Sequence, residues 1–152
     1  MTVVKAHRFP VAVEWQGDRL TQASVPGKHS LHVATPPEFR GEHPDVWSPD
    51  GLLVGSLATC YAVTLVSVAE WRGVQLRGLH VDGLGDVERG VDGRFAFIAL
   101  ELRATIETDE ASLAAAESAA RHAKDVCLVS MALATPVRLE LDMVATREGA
   151  AV

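Results

Sequence analysis

The sequence predicts an α+β fold with mainly antiparallel sheet, and three observations support this prediction. Residues 51–69 carry no charged side chain and have the composition of one long helix. Several other segments alternate apolar and polar residues, as half-buried strands do. The resulting order is βββ-α-ββ-αα-β, in which strands and helices are grouped instead of alternating strictly. At 152 residues the chain has the size of one domain, which we expect over residues 1–146 with a loose tail over residues 147–152.

Six strands are expected from the alternation and from the turn residues between the segments. The first two strands flank Gln16-Gly17-Asp18, which suits a hairpin, and two long strands flank Gly90-Val91-Asp92-Gly93. The last strand is expected in the alternating segment PVRLELDMVAT. The predicted strands cover about residues 6–15, 18–24, 30–34, 75–88, 94–107 and 136–146.

Three helices are expected, and the first has a strong start signal. Ser48 can cap the helix, Pro49 fits its first position, and Asp50 favours the positive end of the helix dipole. This helix should end near Arg72, before Gly73. An alanine-rich helix is expected over about residues 109–124, and its mildly apolar face predicts a position on the surface. A short helix should follow over about residues 126–133.

The uncharged segment 51–69 has about the length that spans a bilayer. It is interrupted by small polar residues and glycine, and it lies in mid-chain between segments that resemble strands. We therefore expect a buried helix that is apolar all round, and no membrane partner.

Composition excludes several classes of partner. The net charge is −6 and basic residues are scattered, whereas nucleic acid requires a positive surface. Aromatic residues make up only 5%, which argues against a base-stacking platform. The first residues do not resemble a secretory signal, so a cytoplasmic location is expected, where a permanent structural disulfide is disfavoured.

The two cysteines, Cys60 and Cys127, lie in the two most informative segments of the chain. Each is compatible with an inert core thiol. A reactive thiol needs a nearby cation or hydrogen-bond donors, and residues 51–71 contain no cation. Arg19, Arg40 or a histidine would have to supply the charge. If the two sulfurs meet, a thiolate could attack a peroxide, and the second thiol could then form a disulfide that a cellular dithiol reduces.

Metal and cofactor chemistry has little support in the sequence. Neither His-Glu-x-x-His nor Cys-x-x-Cys is present, and the segment GLGDVERG lies between strand-like segments without a following helix. We expect no metal and no cofactor. The six histidines are His7, His29, His32, His43, His80 and His122.

The segment SPDGLLVGSLATCY resembles the cysteine helix of the OsmC/organic hydroperoxide resistance (Ohr) superfamily. That motif has a Pro-acidic pair, a run of small and apolar residues, and a cysteine followed by an aromatic residue. HAKDVCLVSMAL is similar to the second cysteine motif of the superfamily, and PPEFRG resembles the loop before the helix. The resemblance covers about residues 5–145.

The resemblance implies an OsmC-like domain and an intertwined homodimer with long central helices between sheets. It also implies a thiol peroxidase that reduces organic hydroperoxides and hydrogen peroxide and is recycled by a dithiol reductant. By motif position Cys60 matches the peroxidatic cysteine and Cys127 the resolving cysteine. Asp50, which stands where the family usually has Glu, matches an acidic residue that pairs with a catalytic arginine.

The resemblance leaves two candidates for that arginine. One branch of the family carries it in the first hairpin, where this chain has Arg19. Another carries it in the loop before the helix, where Arg40 follows the matching Glu38 by two residues and can point the same way. Because ten residues of helix rise about 15 Å, Asp50 would act on Cys60 only through an arginine or across a dimer interface. The residue after the second cysteine is commonly Pro in the family, and here it is Leu128.

A binding function is the alternative to catalysis. The same fold could hold a small apolar ligand without reaction, with the cysteines as core residues. In either case the long helix is expected to line an apolar pocket through Leu53, Leu57 and Val63. A purely structural dimer is the third hypothesis.

Overall fold

The structure of the protein is a computed structural model that describes residues 5–146. The chain forms two compact units, Met1–Leu52 and Leu53–Val152, each with its own sheet. The expectation of one domain over residues 1–146 stays a prediction. The expected loose tail at residues 147–152 lies outside the described residues.

The first unit contains a three-stranded antiparallel sheet in the order β1-β2-β3. The predicted first hairpin is confirmed, and it turns through Gly17 and Asp18, whose φ angles are 107° and 45°. A short 3-10 turn, Pro37–Phe39, follows the sheet and leads towards the long helix. The three strands are β1 (Ala12–Gly17), β2 (Leu20–Ser24) and β3 (Leu31–Ala34).

The long helix α1 spans Pro49–Trp71, close to its predicted limits. Its start follows the expected chemistry, since the Ser48 hydroxyl accepts a hydrogen bond of 3.0 Å from the Gly51 N–H. Its end is fixed by Gly73, whose φ of 68° allows the chain to reverse.

Only one side of α1 is buried in the chain. The prediction of a helix buried on all sides is therefore wrong for the single chain, because Val63 and Trp71 are 64% and 82% exposed. In length and composition α1 could cross a membrane, with 28% of its apolar window buried, but the core helix of a soluble protein meets the same criteria. The buried stripe repeats every four residues and consists of Leu57, Tyr61, Leu65 and Ala69.

The second unit contains a three-stranded sheet in the order β4-β5-β6. The strands β4 (Leu76–Arg89) and β5 (Phe95–Asp109) form the predicted long antiparallel hairpin. The strand β6 (Val137–Thr146) pairs parallel to β5, because two helices carry the chain back between them. Helix α1 lies close to β4 at Gly83, where a Cβ would come within 2.9 Å of the Val54 side chain.

The helices α2 (Leu113–Val126) and α3 (Leu128–Ala132) follow β5. The predicted surface position of α2 is wrong for one of its faces, which is fully buried and contacts β5 and β6. Small side chains allow the helix to approach the sheet closely, so a weakly apolar face is enough to fill the core. The buried face of α2 consists of Ala116, Ala119, Ala120 and Ala123.

Candidate active site

The two cysteines lie on different elements of the second unit. Cys60 is near the middle of α1, is partly buried, and precedes the fully buried Tyr61. Cys127 is the single residue between α2 and α3, where its extended backbone (φ −66°, ψ 116°) redirects the chain. The Cys127 side chain is fully buried in the core of this unit.

The structure brings these two thiols together. Cys60 packs against the core cluster that contains Cys127, the two side chains are close enough to affect each other's pKa, and both residues are free thiols. The sequence left open whether the two thiols come together, and the fold places Cys60 of α1 beside the α2–α3 turn that carries Cys127.

The environment of Cys60 favours its thiolate. Burial acts to raise the pKa of Cys60, but hydrogen bonds from the Val129 N–H, the Cys127 thiol, the Thr64 hydroxyl and the Leu128 N–H outweigh it. The pKa of Cys60 is therefore lowered below its ordinary value. These donors are neutral, so they stabilise the thiolate by hydrogen bonding and not by a full positive charge.

The environment of Cys127 has the opposite effect. Burial raises the pKa of this thiol, and the neighbouring Cys60 raises it further, against a smaller lowering effect of the Ser130 and Val129 backbone. Cys60 is thus the more acidic and more accessible thiol of the pair, and Cys127 is the thiol that stays protonated.

The backbone donors come from the first turn of α3. The Met131 N–H bonds to the Cys127 carbonyl at 3.0 Å, which closes that turn. Because the first N–H groups of a helix have no partner within the helix, those of Leu128 and Val129 can bond to the Cys60 sulfur.

A buried hydrogen bond links α1, which carries Cys60, to α2, which precedes Cys127. The Tyr61 hydroxyl donates to the Ala120 carbonyl of α2 at 3.2 Å. Burial strongly raises the pKa of Tyr61, so the phenol stays protonated and remains a donor. The residue next to Cys60 is thereby linked to the helix that leads to Cys127.

The other three predicted site residues lie in the first unit. The Arg19 guanidinium donates a hydrogen bond through Nη1 to the backbone carbonyl of Arg40, so the two candidate arginines are joined. Arg40 has a left-handed backbone with φ 62°, and both arginine side chains are exposed. Asp50 is in the first turn of α1 and is partly buried. Within residues 5–146, Asp50 forms no ion pair with Arg19 or Arg40.

Sequence reasoning missed three donors to Cys60. Thr64 lies four residues after Cys60 on the same helix, and this spacing could have identified it. No sequence pattern identifies the N–H groups of Leu128 and Val129 as donors. A backbone amide is present at nearly every position, and only the fold directs it at the sulfur.

The apolar pocket differs from the predicted one. Leu57 is fully buried and cannot line an open cavity. Val63 instead lines a shallow cavity of about 300 Å³ on the exposed side of α1. The other residues that line it are Thr64, Ser67, Val68 and Trp71.

A metal centre has no donor set in the part of the chain that the structure describes. Over residues 5–146, no group of three or more histidine, cysteine, aspartate or glutamate side chains is arranged to hold a metal ion.

Comparison with known proteins gives a family match over most of the chain. The family model described as OsmC-like protein matches residues 42–142, which include both cysteines. The chain is also similar to YmaD of Bacillus subtilis, an uncharacterized protein, with 26% identity over 143 residues that cover 90% of this chain and 93% of YmaD.

Solved structures agree in fold at low sequence identity. An OsmC-like protein of unknown function from Vibrio cholerae superposes with a TM-score of 0.78 at 16% identity, over 90% of this chain and 99% of that chain. An organic hydroperoxide resistance protein from Elizabethkingia anophelis gives a TM-score of 0.75 at 18% identity, over 95% of this chain and 100% of that chain. The predicted α+β fold is confirmed.

Proposed function

The chain belongs to the OsmC-like protein family, and on this premise we propose that it is a thiol-dependent peroxidase. Organic hydroperoxides are the proposed substrates, together with hydrogen peroxide. The observation that carries the proposal is the contact between two free thiols whose pKa values are shifted in opposite directions. The similar Elizabethkingia protein is an organic hydroperoxide resistance protein, which supports the choice of substrate.

The proposed reaction begins at Cys60. Its thiolate attacks the terminal oxygen of the hydroperoxide, a sulfur–oxygen bond forms, and the oxygen–oxygen bond breaks. The terminal oxygen stays on Cys60 with its hydrogen as a sulfenic acid, and the alkoxide takes a proton from solvent and leaves as an alcohol. Partial exposure gives Cys60 access to the substrate, and its lowered pKa provides the thiolate.

Cys127 completes the first half of the cycle. Its sulfur attacks the sulfenic sulfur of Cys60 and a disulfide forms. The proton of the Cys127 thiol combines with the departing hydroxide to give water. The proximity of the two thiols, each of which affects the other's pKa, supports this step. A dithiol reductant then restores both thiols by two exchange steps and is itself oxidised to a disulfide.

The residues of the first unit have a supporting role in this proposal. Arg19 or Arg40 binds the reacting oxygens or the thiolate, and Asp50 orients that arginine. The hydrogen bond from Arg19 to the Arg40 carbonyl supports a shared role, since it fixes one arginine relative to the loop that carries the other.

The proposal includes a cytoplasmic location and a homodimer. It also includes a single domain over residues 1–146. Large apolar side chains are exposed on several elements, which is unusual for a monomer that has no partner surface. On α1 these include Val63 and Trp71, and on the first hairpin Trp15 is 74% exposed. A second copy of the chain would cover such a surface.

The decisive experiment is mass spectrometry of the protein after one equivalent of an alkyl hydroperoxide. We expect a Cys60–Cys127 disulfide, and two unmodified thiols would refute the proposal. The Cys127→Ser variant should accumulate a sulfenic acid on Cys60 that a sulfenic-acid-specific reagent traps. The Cys60→Ser variant should lose peroxide turnover, and full turnover in this variant would count equally against the proposal.

A non-catalytic module that binds a small apolar ligand is the second candidate. It is favoured by the shallow cavity on α1, which Val63 and Trp71 help to line. In that case alkylation at neutral pH would not distinguish the two cysteines, whereas the peroxidase proposal requires selective labelling of Cys60.

A further inference from the structure

Two arginines of the first unit are candidates for the same role, and the structure uses them differently. The Arg19 guanidinium donates a hydrogen bond through Nη1 to the backbone carbonyl of Arg40. This bond occupies the side chain of Arg19 but only the main chain of Arg40. Within residues 5–146, the Arg40 guanidinium itself forms no hydrogen bond or ion pair. The link between the two arginines therefore runs in one direction only.

Arg19 is bonded to both ends of the segment 35–40. It immediately precedes β2, and its backbone carbonyl accepts a hydrogen bond of 3.2 Å from the Thr35 N–H, where the segment begins. Its side chain reaches the carbonyl of Arg40, where the segment ends. An arginine side chain is long and carries its donors on a planar group, so a single residue can span the two ends. The two bonds close the chain between them into a loop.

This loop has a backbone conformation that needs support. Arg40 has a φ of 62°, in the left-handed region that residues other than glycine rarely adopt. The Arg40 N–H bonds to the Pro37 carbonyl at 2.9 Å, and the Gly41 N–H bonds to the Pro36 carbonyl at 3.0 Å. The loop folds tightly onto its own start, because a Cβ on Gly41 would lie 1.6 Å from the Thr35 carbonyl oxygen. Such a turn persists only where its surroundings hold it, and the Arg19 side chain supplies one of the bonds that do so.

We propose that Arg19 is a positioning residue that holds the Arg40 loop (residues 35–41) in its left-handed turn, and that Arg40 is the arginine left available to bind an anionic group. One role, which the sequence left open between the two arginines, is thus divided between them. The anionic group is the thiolate or the reacting oxygens of the peroxidase, so this part rests on the proposed function. The holding of the loop by Arg19 does not depend on that function.

The test follows the loop directly, by amide hydrogen exchange of the full-length protein. Short labelling times and mass spectrometry of peptides that cover the Arg40 loop report how well its hydrogen-bonded amides are protected. Arg19→Met keeps most of the length of the side chain and removes the guanidinium. Because one hydrogen bond to the loop is lost, the amides of Arg40 and Gly41 should exchange about three to ten times faster.

Two arginine variants are the controls. Arg40→Met keeps the carbonyl that accepts the bond, so its loop should exchange as in the parent protein. Arg8→Met removes an exposed arginine of the same unit which, in the part of the chain that the structure describes, forms no hydrogen bond to the loop, so exchange should again be unchanged. Unchanged exchange in Arg19→Met would overturn the proposal, as would an equal rise in either control. If Arg19→Met does not fold, Arg19→Gln removes the guanidinium with a polar side chain and is read in the same way.

Peroxide turnover is measured separately in the same variants. If the parent protein reduces no hydroperoxide, the proposed function fails, while the exchange measurement still decides whether Arg19 holds the loop. If the parent protein is active, Arg40→Met should lower the rate of the peroxide reaction. The double variant of Arg19→Met and Arg40→Met should be no slower than Arg40→Met alone, because Arg19 acts only through Arg40. Additive losses, or full turnover in Arg40→Met, would overturn the division of roles.

Discussion

The Tyr61 hydroxyl donates a hydrogen bond to the carbonyl of Ala120 across the buried core of the second unit. This bond joins α1, next to Cys60, to α2, which leads to Cys127. Both residues are fully buried. The pair therefore fixes the relative position of the helices that bring the two thiols together.

Removal of the hydroxyl in Tyr61→Phe should lower the free energy of unfolding by about 1 kcal/mol. The cost is modest because the ring still fills the core. Tyr61→Ala should cost about 3–5 kcal/mol, since it also leaves a cavity. Urea unfolding of both variants measures the difference. Equal losses in the two variants would show that packing of the ring contributes little, contrary to this prediction.

Leu128→Pro should raise the pKa of Cys60 without disrupting the fold. Proline has no N–H, so it removes one donor to the Cys60 sulfur. It also suits this position, because Leu128 is the first residue of α3 and Cys127 before it is extended. The pH dependence of Cys60 alkylation measures the change, and circular dichroism checks the fold.

Leu128→Ala is the control for this variant, because it keeps the N–H. The Leu128 side chain is 71% exposed, so its loss should have little effect on the core. A shift of the same size in Leu128→Ala would mean that the side chain, and not the amide, acts on Cys60.

Alkylation of the reduced wild-type protein should label Cys60 before Cys127. Only the thiolate reacts, and its fraction rises with pH through the pKa. Since the pKa of Cys60 lies below the ordinary value of 9.0 and that of Cys127 above it, Cys60 should reach its full rate at lower pH. Peptide mapping after short exposures at several pH values tests this order. Earlier labelling of Cys127 would contradict the assignment of roles.

Reduction of the proposed disulfide should begin at Cys60. Cys127 is fully buried, so an external thiolate can reach only the Cys60 sulfur, and Cys127 then leaves. The raised pKa of Cys127 makes it a poor leaving group, so this step should be slow with a monothiol. Peptide mapping after treatment of the oxidised protein with glutathione should find the mixed disulfide on Cys60. A mixed disulfide on Cys127 would show that the core opens before reduction.

The limits of the long helix and the first hairpin were predictable because their causes are local. A serine cap and Gly73 fix the ends of α1, and Gly17 with Asp18 fixes the hairpin turn. The burial of α2 was not predictable in the same way. Alanine is weakly apolar, and whether it fills a core depends on how closely the sheet approaches.

The sequence by itself determined which thiols are available, the elements that carry them, and the family motifs in which they stand. Only the tertiary structure decided that Cys60 and Cys127 lie close together and that their pKa values shift in opposite directions. The physical reason is that a thiol pKa depends on burial and on donors that converge from distant parts of the chain. For Cys60 these donors are Thr64 on its own helix and two backbone amides of α3, which only the folded chain directs at its sulfur.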